Sequence, residues 1–566
     1  MKATLIFDGV NDLLFSKWDD EFLQRMKSFG GQECDENVTD NDSVSQLLAP
    51  IITSQRVMAA QFGNTYSSIQ CKDNTTIVFD ECLDHVLMII SDDCVDDAQR
   101  ELMDCKTFVQ HICGQNINLL NSPVYQEWLS VLLECRTLGD TIPGANGVIG
   151  ESGATAAALN ALKTASKDLK LLFIHYHLML FVGDKLLALY SSRGSEDLSP
   201  PDLILLSVQC IAAQEYWKEH EKTNEDKAEN DRLPWLSKEN SAIVNLCGGS
   251  TDGPCTPHSM HLVQVAPRIT LAAIVDMDLR DVGVTLHMSS QILSNLRRLL
   301  MQRNLELLPN TLDVLEAAVK KTTDALRKNK ANSTLCARLT SRMLELRKSC
   351  TTTTPLTPET AATAMHTALE AVADQLKPDI PSLKMDSALK GLKGILAPYV
   401  DFLRYVEEFP GLIHFIYVDR TTGRFLAPDM ADCVDMLSAE MVKHTITRAL
   451  SVVREGYCAA TWRRGALHVC GVLWWERRGV AVRPPRAPHP AAVRALPPPG
   501  DILGNFYRQL LELAFPNDTQ GVNIKELICV HLGLLPASTA VQQARRLAHS
   551  VHELAGDNPA VAADLL

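Results

Sequence analysis

No two of the sixteen cysteines are spaced Cys-x-x-Cys, so the chain has neither a zinc-knuckle nor a thioredoxin-like motif. Scattered thiols of this kind are expected to be free and reduced. Long hydrophobic runs are missing as well. The longest, Leu171 to Val182, is interrupted by His175 and His177 and falls far short of the roughly 20 apolar residues that span a bilayer. The first residues place Lys2, Asp8 and Asp12 among short apolar runs, which is no signal peptide. A cytoplasmic protein is expected, and any membrane contact must be peripheral. A P-loop is absent too. Residues 140–166 carry Gly144, Gly147, Gly150 and Gly153, but no Gly-Lys-Ser/Thr follows and no strand leads directly in.

What is present is ordinary in bulk and uneven in charge. A chain of 566 residues exceeds what one core holds, so three or four domains are expected. Of the net charge of −14, residues 1–120 carry −12, from 20 Asp/Glu against 8 Lys/Arg. Residues 451–500 hold 8 Arg, no Lys and 2 Glu, a local +6. The acidic first segment argues against nucleic acid. The arginine-rich one is either a solvated face or a contact for an acidic partner or anionic lipid.

Three rounds of one element order follow. Met1 to Phe7 and Leu13 to Phe15 read as a hairpin, and Ser43 can cap a helix carrying Leu47, Leu48, Ile51, Ile52, Val57 and Met58. Pro50 predicts a break or kink in that helix. Strands Ser67 to Cys71, Thr75 to Phe79 and His85 to Ile90 precede helices Val95 to Cys113 and Pro123 to Leu138. The second round has strands Leu169 to Val182 and Lys185 to Ser191, a helix from Pro200, and strands His261 to Ala266, Leu271 to Val275 and Val282 to Met288. Helices over 291–303, 312–328 and up to 348 complete it. A charged and Gly/Pro/Cys-rich insert at about 218–258 interrupts this round. The third begins at Phe409 with a hairpin, Leu412 to Tyr417 turning at Asp419-Arg420-Thr421-Thr422-Gly423 into Arg424 to Leu426. The order ββαβββαα predicts α+β domains, each an antiparallel sheet of about five strands packed on helices.

No constellation of catalytic kind emerges, and no cofactor or metal is expected. His175 and His177 share a strand face without a third ligand, and His549 and His552 sit on one helix face. Cys247, Cys255, His258 and His261 loosely resemble a zinc set, but Cys-x₇-Cys is wrong for the common structural motifs. Ser195-Glu196-Asp197 suits a helix N-terminus. Asp419 and Arg420 read as turn geometry or a local ion pair. Trp474-Trp475-Glu476-Arg477-Arg478 puts aromatics beside arginines, where only one tryptophan need be buried.

The run from Phe409-Pro410-Gly411-Leu412 through His414-Phe415-Ile416-Tyr417-Val418-Asp419-Arg420-Thr421-Thr422-Gly423 to Ala427-Pro428 resembles the Hermansky–Pudlak syndrome type 1 family. So do Leu47-Leu48-Ala49-Pro50-Ile51-Ile52, Lys185-Leu186-Leu187-Ala188 with Tyr190-Ser191-Ser192, Pro201-Asp202-Leu203, Phe506-Tyr507-Arg508 with Leu510-Leu511, and Val541-Gln542-Gln543-Ala544. The resemblance implies three longin domains, at 1–140, 169–350 and 409–566, joined by a linker at 141–168 and a linker with a helical spacer at 351–408. It implies a subunit of the third biogenesis-of-lysosome-related-organelles complex, paired with a type 4-like partner. Like the Mon–Ccz complex, such a pair acts as a guanine-nucleotide exchange factor, here for Rab GTPases of the 32/38 subgroup. The same resemblance implies a cytoplasmic protein recruited peripherally to endosomal and lysosome-related organelle membranes such as melanosomes. In related complexes the first longin domains present the GTPase surface. That makes the Ser43 to Gln61 helix the expected partner surface, with Leu47, Leu48, Ile51, Ile52 and Arg56 as its candidates.

Overall fold

A computed structural model describes residues 1–29, 41–62, 66–137, 142–149, 152–169, 175–195, 197–220, 233, 241–246, 256–266, 268–276, 280–301, 303, 307–328, 333–351, 357–375, 408–428 and 438–554. In chain order its strands are β1 (Lys2–Phe7), β2 (Leu13–Trp18), β3 (Ser68–Gln70), β4 (Thr76–Cys82), β5 (His85–Ser91), β6 (Asn146–Val148), β7 (Tyr176–Val182), β8 (Lys185–Ser191) and β9 (Ser241–Leu246). There follow β10 (Thr256–Ala266), β11 (Ile269–Asp276), β12 (Leu412–Asp419), β13 (Arg424–Leu426), β14 (Ala459–Arg464), β15 (Leu467–Arg477), β16 (Val480–Val482) and β17 (Val522–Leu532). Two compact units form. One holds Met1–Val131, Lys227–Met260 and Asp276–Ser382; the other holds Leu132–Asp226, His261–Val275 and Leu383–Leu566.

In the first unit a five-stranded antiparallel sheet runs β2-β1-β5-β4-β3. Strand β5 is buried on both faces. Val86, Met88 and Ile90 pack with Phe22, Met26, Val44, Leu48 and Ile52 from the helices Asp20–Phe29 and Asn41–Phe62. Its alternate residues, Leu87 and Ile89, point to the other face, which the helix Val95–Cys113 covers with Leu102, Cys105, Phe108 and Ile112. The helix Asn41–Phe62 runs unbroken through Pro50, against the predicted break. Pro50 lies on the exposed side, where losing one backbone donor does not open the buried face.

Four helices, Arg280–Met301, Leu308–Lys328, Ser333–Thr351 and Pro358–Gln375, form a second core of this unit. Two sequence expectations change here. Val282 to Met288, expected as a strand, is the start of the first of these helices, because Val282, Leu286, Leu293 and Leu296 are its buried stripe. The missing strand is supplied by β9, inside the stretch read as an insert, so the order is preserved. The supposed spacer Pro358–Gln375 buries Ala361, Ala362, Met365, Leu369 and Val372 in the same core. Of Lys384 to Glu408, expected as a helical stretch within the 351–408 spacer, all but Glu408 lies outside the described residues.

The second unit is built on one continuous sheet, β14-β15-β17-β12-β13-β6-β8-β7-β11 and residues 261–266 of β10. The stretch read as a linker supplies β6, which pairs in parallel with β13 on one side and β8 on the other. Gly147 is needed there: a Cβ would stand 2.8 Å from Lys185 Cγ and 3.2 Å from the Phe425 ring. The same stretch continues into the helix Ser152–Leu169, whose Ala158, Leu162, Ala165 and Leu169 pack on β7, β8 and β11. The expected strand start at Leu169 is thus the end of a helix. Over the third round the sheet is covered on both faces. Trp475 joins the side with Ile446, Leu450 and Phe506, and Trp474 joins Phe409, Leu547 and Val551 on the other. Both tryptophans are therefore buried, where only one was required.

Candidate functional site

The five candidates on the helix Asn41–Phe62 divide by face. Leu48 and Ile52 are core residues, and Ile51 packs partly against the same core. Leu47 is exposed, as are Pro50 and Val57 one turn and three turns on. Arg56 does neither. It turns inward at the end of the sheet, where its Nη2 donates to the carbonyls of Asp8 and, at 3.2 Å, Asp84.

That end of the first unit is an open corner. Three segments meet there with the last turns of the helix Arg280–Met301: the β1–β2 turn, the β4–β5 turn and the helix carrying Arg56. Leu83 and Asp84 form the two-residue β4–β5 turn, with φ of 48° and 67°. Positive φ at both positions is what such a hairpin requires, and for leucine it is a strained conformation. The turn aims Asp84 at Arg297 Nη1, 2.7 Å away, and at the Ser294 hydroxyl, also 2.7 Å. A cavity of about 40 Å³ remains, lined by Gln55, Arg56, Glu81, Asp84, Arg297 and Arg298, with Met301 beside them. Burial lowers the Arg56 pKa despite Glu81, Asp84 and Asp8, and Arg297 lowers it further. Burial also raises Glu81, helped by Asp84. The Nε of Arg56 is buried without a hydrogen-bond partner. Met301, exposed by 56%, lies at the edge of the cavity, and Val10 and Val57, exposed by 74% and 41%, stand on the β1–β2 turn and the Arg56 helix that form the corner. Paired but incompletely satisfied charges inside an apolar rim suit a protein contact better than a reaction.

The 419–423 turn is the opposite case. Asp419 Oδ1 accepts the amides of Thr421 (3.0 Å) and Thr422 (3.1 Å), and its Oδ2 meets Lys525 at 3.0 Å. Arg420 is fully buried. It donates to Glu526 at 2.7 Å and to the Pro143 carbonyl at 2.6 Å, and lies 4.6 Å over the Tyr507 ring. Burial alone would lower its pKa; Glu526 and Tyr507 more than offset this and hold it above the ordinary value.

Two family models match the chain. The model of the first longin domain of FUZ, MON1 and HPS1 covers residues 2–133, and that of the third covers residues 411–554. Residues 2–133 are similar to the first longin domain of those proteins, and residues 411–554 to the third. The open corner thus joins the end of the first longin domain to the helix Arg280–Met301, and the buried turn is the first hairpin of the third.

The other sequence candidates do not assemble. His177 is buried against the Ser191 hydroxyl at 2.9 Å, while His175 lies before that strand. His258 Nδ1 donates to the Thr256 carbonyl at 2.9 Å; Cys247 and Cys255 lie outside the described residues, as do the side chains of His549 and His552. Among the described residues no group of three or more His, Cys, Asp or Glu could hold a metal. The helix at Pro200 is capped not by Ser195 but by Ser199, which accepts from the Asp202 amide and bonds its carboxylate. Ser195 bonds Ser192 in the turn before it. Sequence reasoning found Arg56 but missed Glu81, Asp84, Arg297 and Arg298. Ser294 and Asp84 are 210 residues apart, and Leu83, the first residue of the β4–β5 turn, is not one of the usual hairpin residues.

Proposed function

We propose that the chain is one subunit of a heterodimeric guanine-nucleotide exchange factor for Rab GTPases of the 32/38 subgroup. Its partner is a type 4-like longin protein, and the pair serves the biogenesis of lysosome-related organelles, melanosomes among them. The observation that carries this reading is the collinear pair of longin domains of the FUZ, MON1 and HPS1 type at residues 2–133 and 411–554. An exchange factor forms no bond; it binds the nucleotide-free GTPase better than the loaded one and so shifts the population toward release. A surface with an exposed apolar stripe, Leu47, Pro50 and Val57, and a charged corner at Arg56 is suited to displacing the segments that hold phosphate and magnesium. Among the described residues no helix is long and apolar enough to cross a membrane, so recruitment to endosomal membranes would be peripheral.

The second reading is a Rab-binding scaffold or tether that uses the same surface without catalysing release. Preferential capture of nucleotide-free Rab supports the exchange factor, and preferential capture of the GTP form supports the scaffold. The direct test is release of labelled GDP from a panel of Rabs by the co-expressed pair. Acceleration confined to the 32/38 subgroup is expected; unchanged release by a folded heterodimer would contradict it.

A further inference from the structure

The arginine-rich segment lies on an open sheet edge. Strand β17 pairs one side of β15 along its whole length, Leu467 to Arg477, while β14 and β16 share the other side. Strand β14 ends the sheet, and no described strand lies beyond it. The Leu473 amide donates to the Cys458 carbonyl at 2.7 Å. Counting along the antiparallel register, Ala460, Trp462 and Arg464 then turn their backbone groups to β15. Ala459, Thr461 and Arg463 turn theirs outward, and all three are exposed. Trp462, half-buried against the core, anchors the strand from its inner face.

Six exposed arginines fall in this part of the chain: Arg463 and Arg464 on β14, Arg478 in the β15–β16 turn, Arg483 and Arg486 just after β16, and Arg494 at the end of the short helix Pro490–Arg494 that follows. Among the described residues none has a carboxylate within 4 Å, whereas the neighbouring Arg477 is paired with Asp518 at 2.8 Å. In a chain of net charge −14 this is a concentrated positive patch.

We propose that this edge receives an acidic, extended segment of a partner protein, added to the sheet as a strand beside β14. A row of outward amides and carbonyls is satisfied by another strand, not by a flat layer of lipid headgroups. The guanidinium forks match carboxylates in two-bond geometry. A second copy of this chain is disfavoured, because its edge would bring the same positive patch to the contact and no acidic one. The arginines therefore do two things: they repel self-pairing and select an acidic strand. This inference does not depend on the exchange reading.

The test is binding of a labelled peptide of alternating glutamate and valine to the full chain. Two variants separate charge from strand addition. Arg463→Glu with Arg464→Glu reverses the charge, and Thr461→Pro keeps every arginine while removing one outward amide, a change an edge strand tolerates. Saturable binding is expected, weakened about tenfold or more by either variant, and lost when a proline is placed mid-peptide. The amides of Ala459, Thr461 and Arg463 should become protected from hydrogen exchange. No binding, or binding indifferent to both prolines, would overturn the proposal. So would retention on phosphatidylserine-containing phosphatidylcholine vesicles without peptide binding, which would make the patch a lipid surface.

Discussion

Two arginines that hold backbone carbonyls at sheet ends have opposite surroundings. Arg420 has Glu526, the Pro143 carbonyl and the Tyr507 face around it, and no exposed surface. Arg56 holds the Asp8 and Asp84 carbonyls but leaves its Nε unbonded beside a cavity. The first arrangement is sealed from solvent: its Nη2 makes no hydrogen bond but stands 2.7 Å from the buried Glu526 carboxylate, so nothing of it is presented to a partner. The second still has a donor, two neighbouring guanidinium groups and an apolar rim. The distinctive turn is thus a structural fastener, and the inconspicuous helix end is the candidate site.

The largest expected effect comes from opening the closed case. Arg420→Ala strands Glu526, which is almost fully buried, and should destabilise the third longin domain by about 3–5 kcal/mol. Urea denaturation of the chain would show it. Replacing both Arg420 and Glu526 with apolar residues should restore much of the loss; no recovery would mean that the network does more than fasten the fold.

Next is acid sensitivity. Burial, with a smaller contribution from Lys185, lowers His414 from 6.5 to about 4. A group whose folded pKa is depressed favours the folded state above its unfolded pKa. That advantage is lost as pH falls from about 6.5 through about 4, by up to roughly 3 kcal/mol. His414→Leu should flatten the fall of melting temperature over that window. An unchanged slope would mean that another buried histidine, such as His531, also lowered to about 4, dominates.

The smallest stability effect is expected at the open corner. Arg56→Ala removes two hydrogen bonds to carbonyls at a half-buried position and should cost only about 1–2 kcal/mol. A loss as large as that of Arg420→Ala, measured in the same denaturation series, would erase the distinction between the two arginines.

Much of this architecture was legible because local signals agreed with burial. The hairpin at Leu412–Asp419 and Arg424–Leu426 and the helix Val95–Cys113 stand where apolar spacing and Gly423 put them. Failures occurred where distant partners decided the outcome. Val282 to Met288 alternates like a strand, but its neighbours in three other helices bury it as a helix. The glycines of 144–147 read as a loop, though the close approach of Phe425 and Lys185 is what demands one of them. Trp474 and Trp475 are both buried because helices lie on both faces, which no window of the chain reveals. The candidate site was half legible. A helix pattern located Arg56, while the carboxylates and arginines around it come from segments that only the fold brings together.

The central proposal is that the first longin-type domain, through its exposed helix face and the Arg56 corner, acts on a Rab GTPase within the proposed heterodimer. GDP release by the purified heterodimer carrying Leu47→Asp and Arg56→Ala tests it most directly. The expected result is a release rate at least about tenfold below that of the unaltered pair, a loss of some 1.4 kcal/mol of differential binding, with the heterodimer intact and its melting temperature lowered by no more than the few degrees that the about 1–2 kcal/mol cost of Arg56→Ala accounts for. Release at the unaltered rate from an intact variant heterodimer would contradict the account.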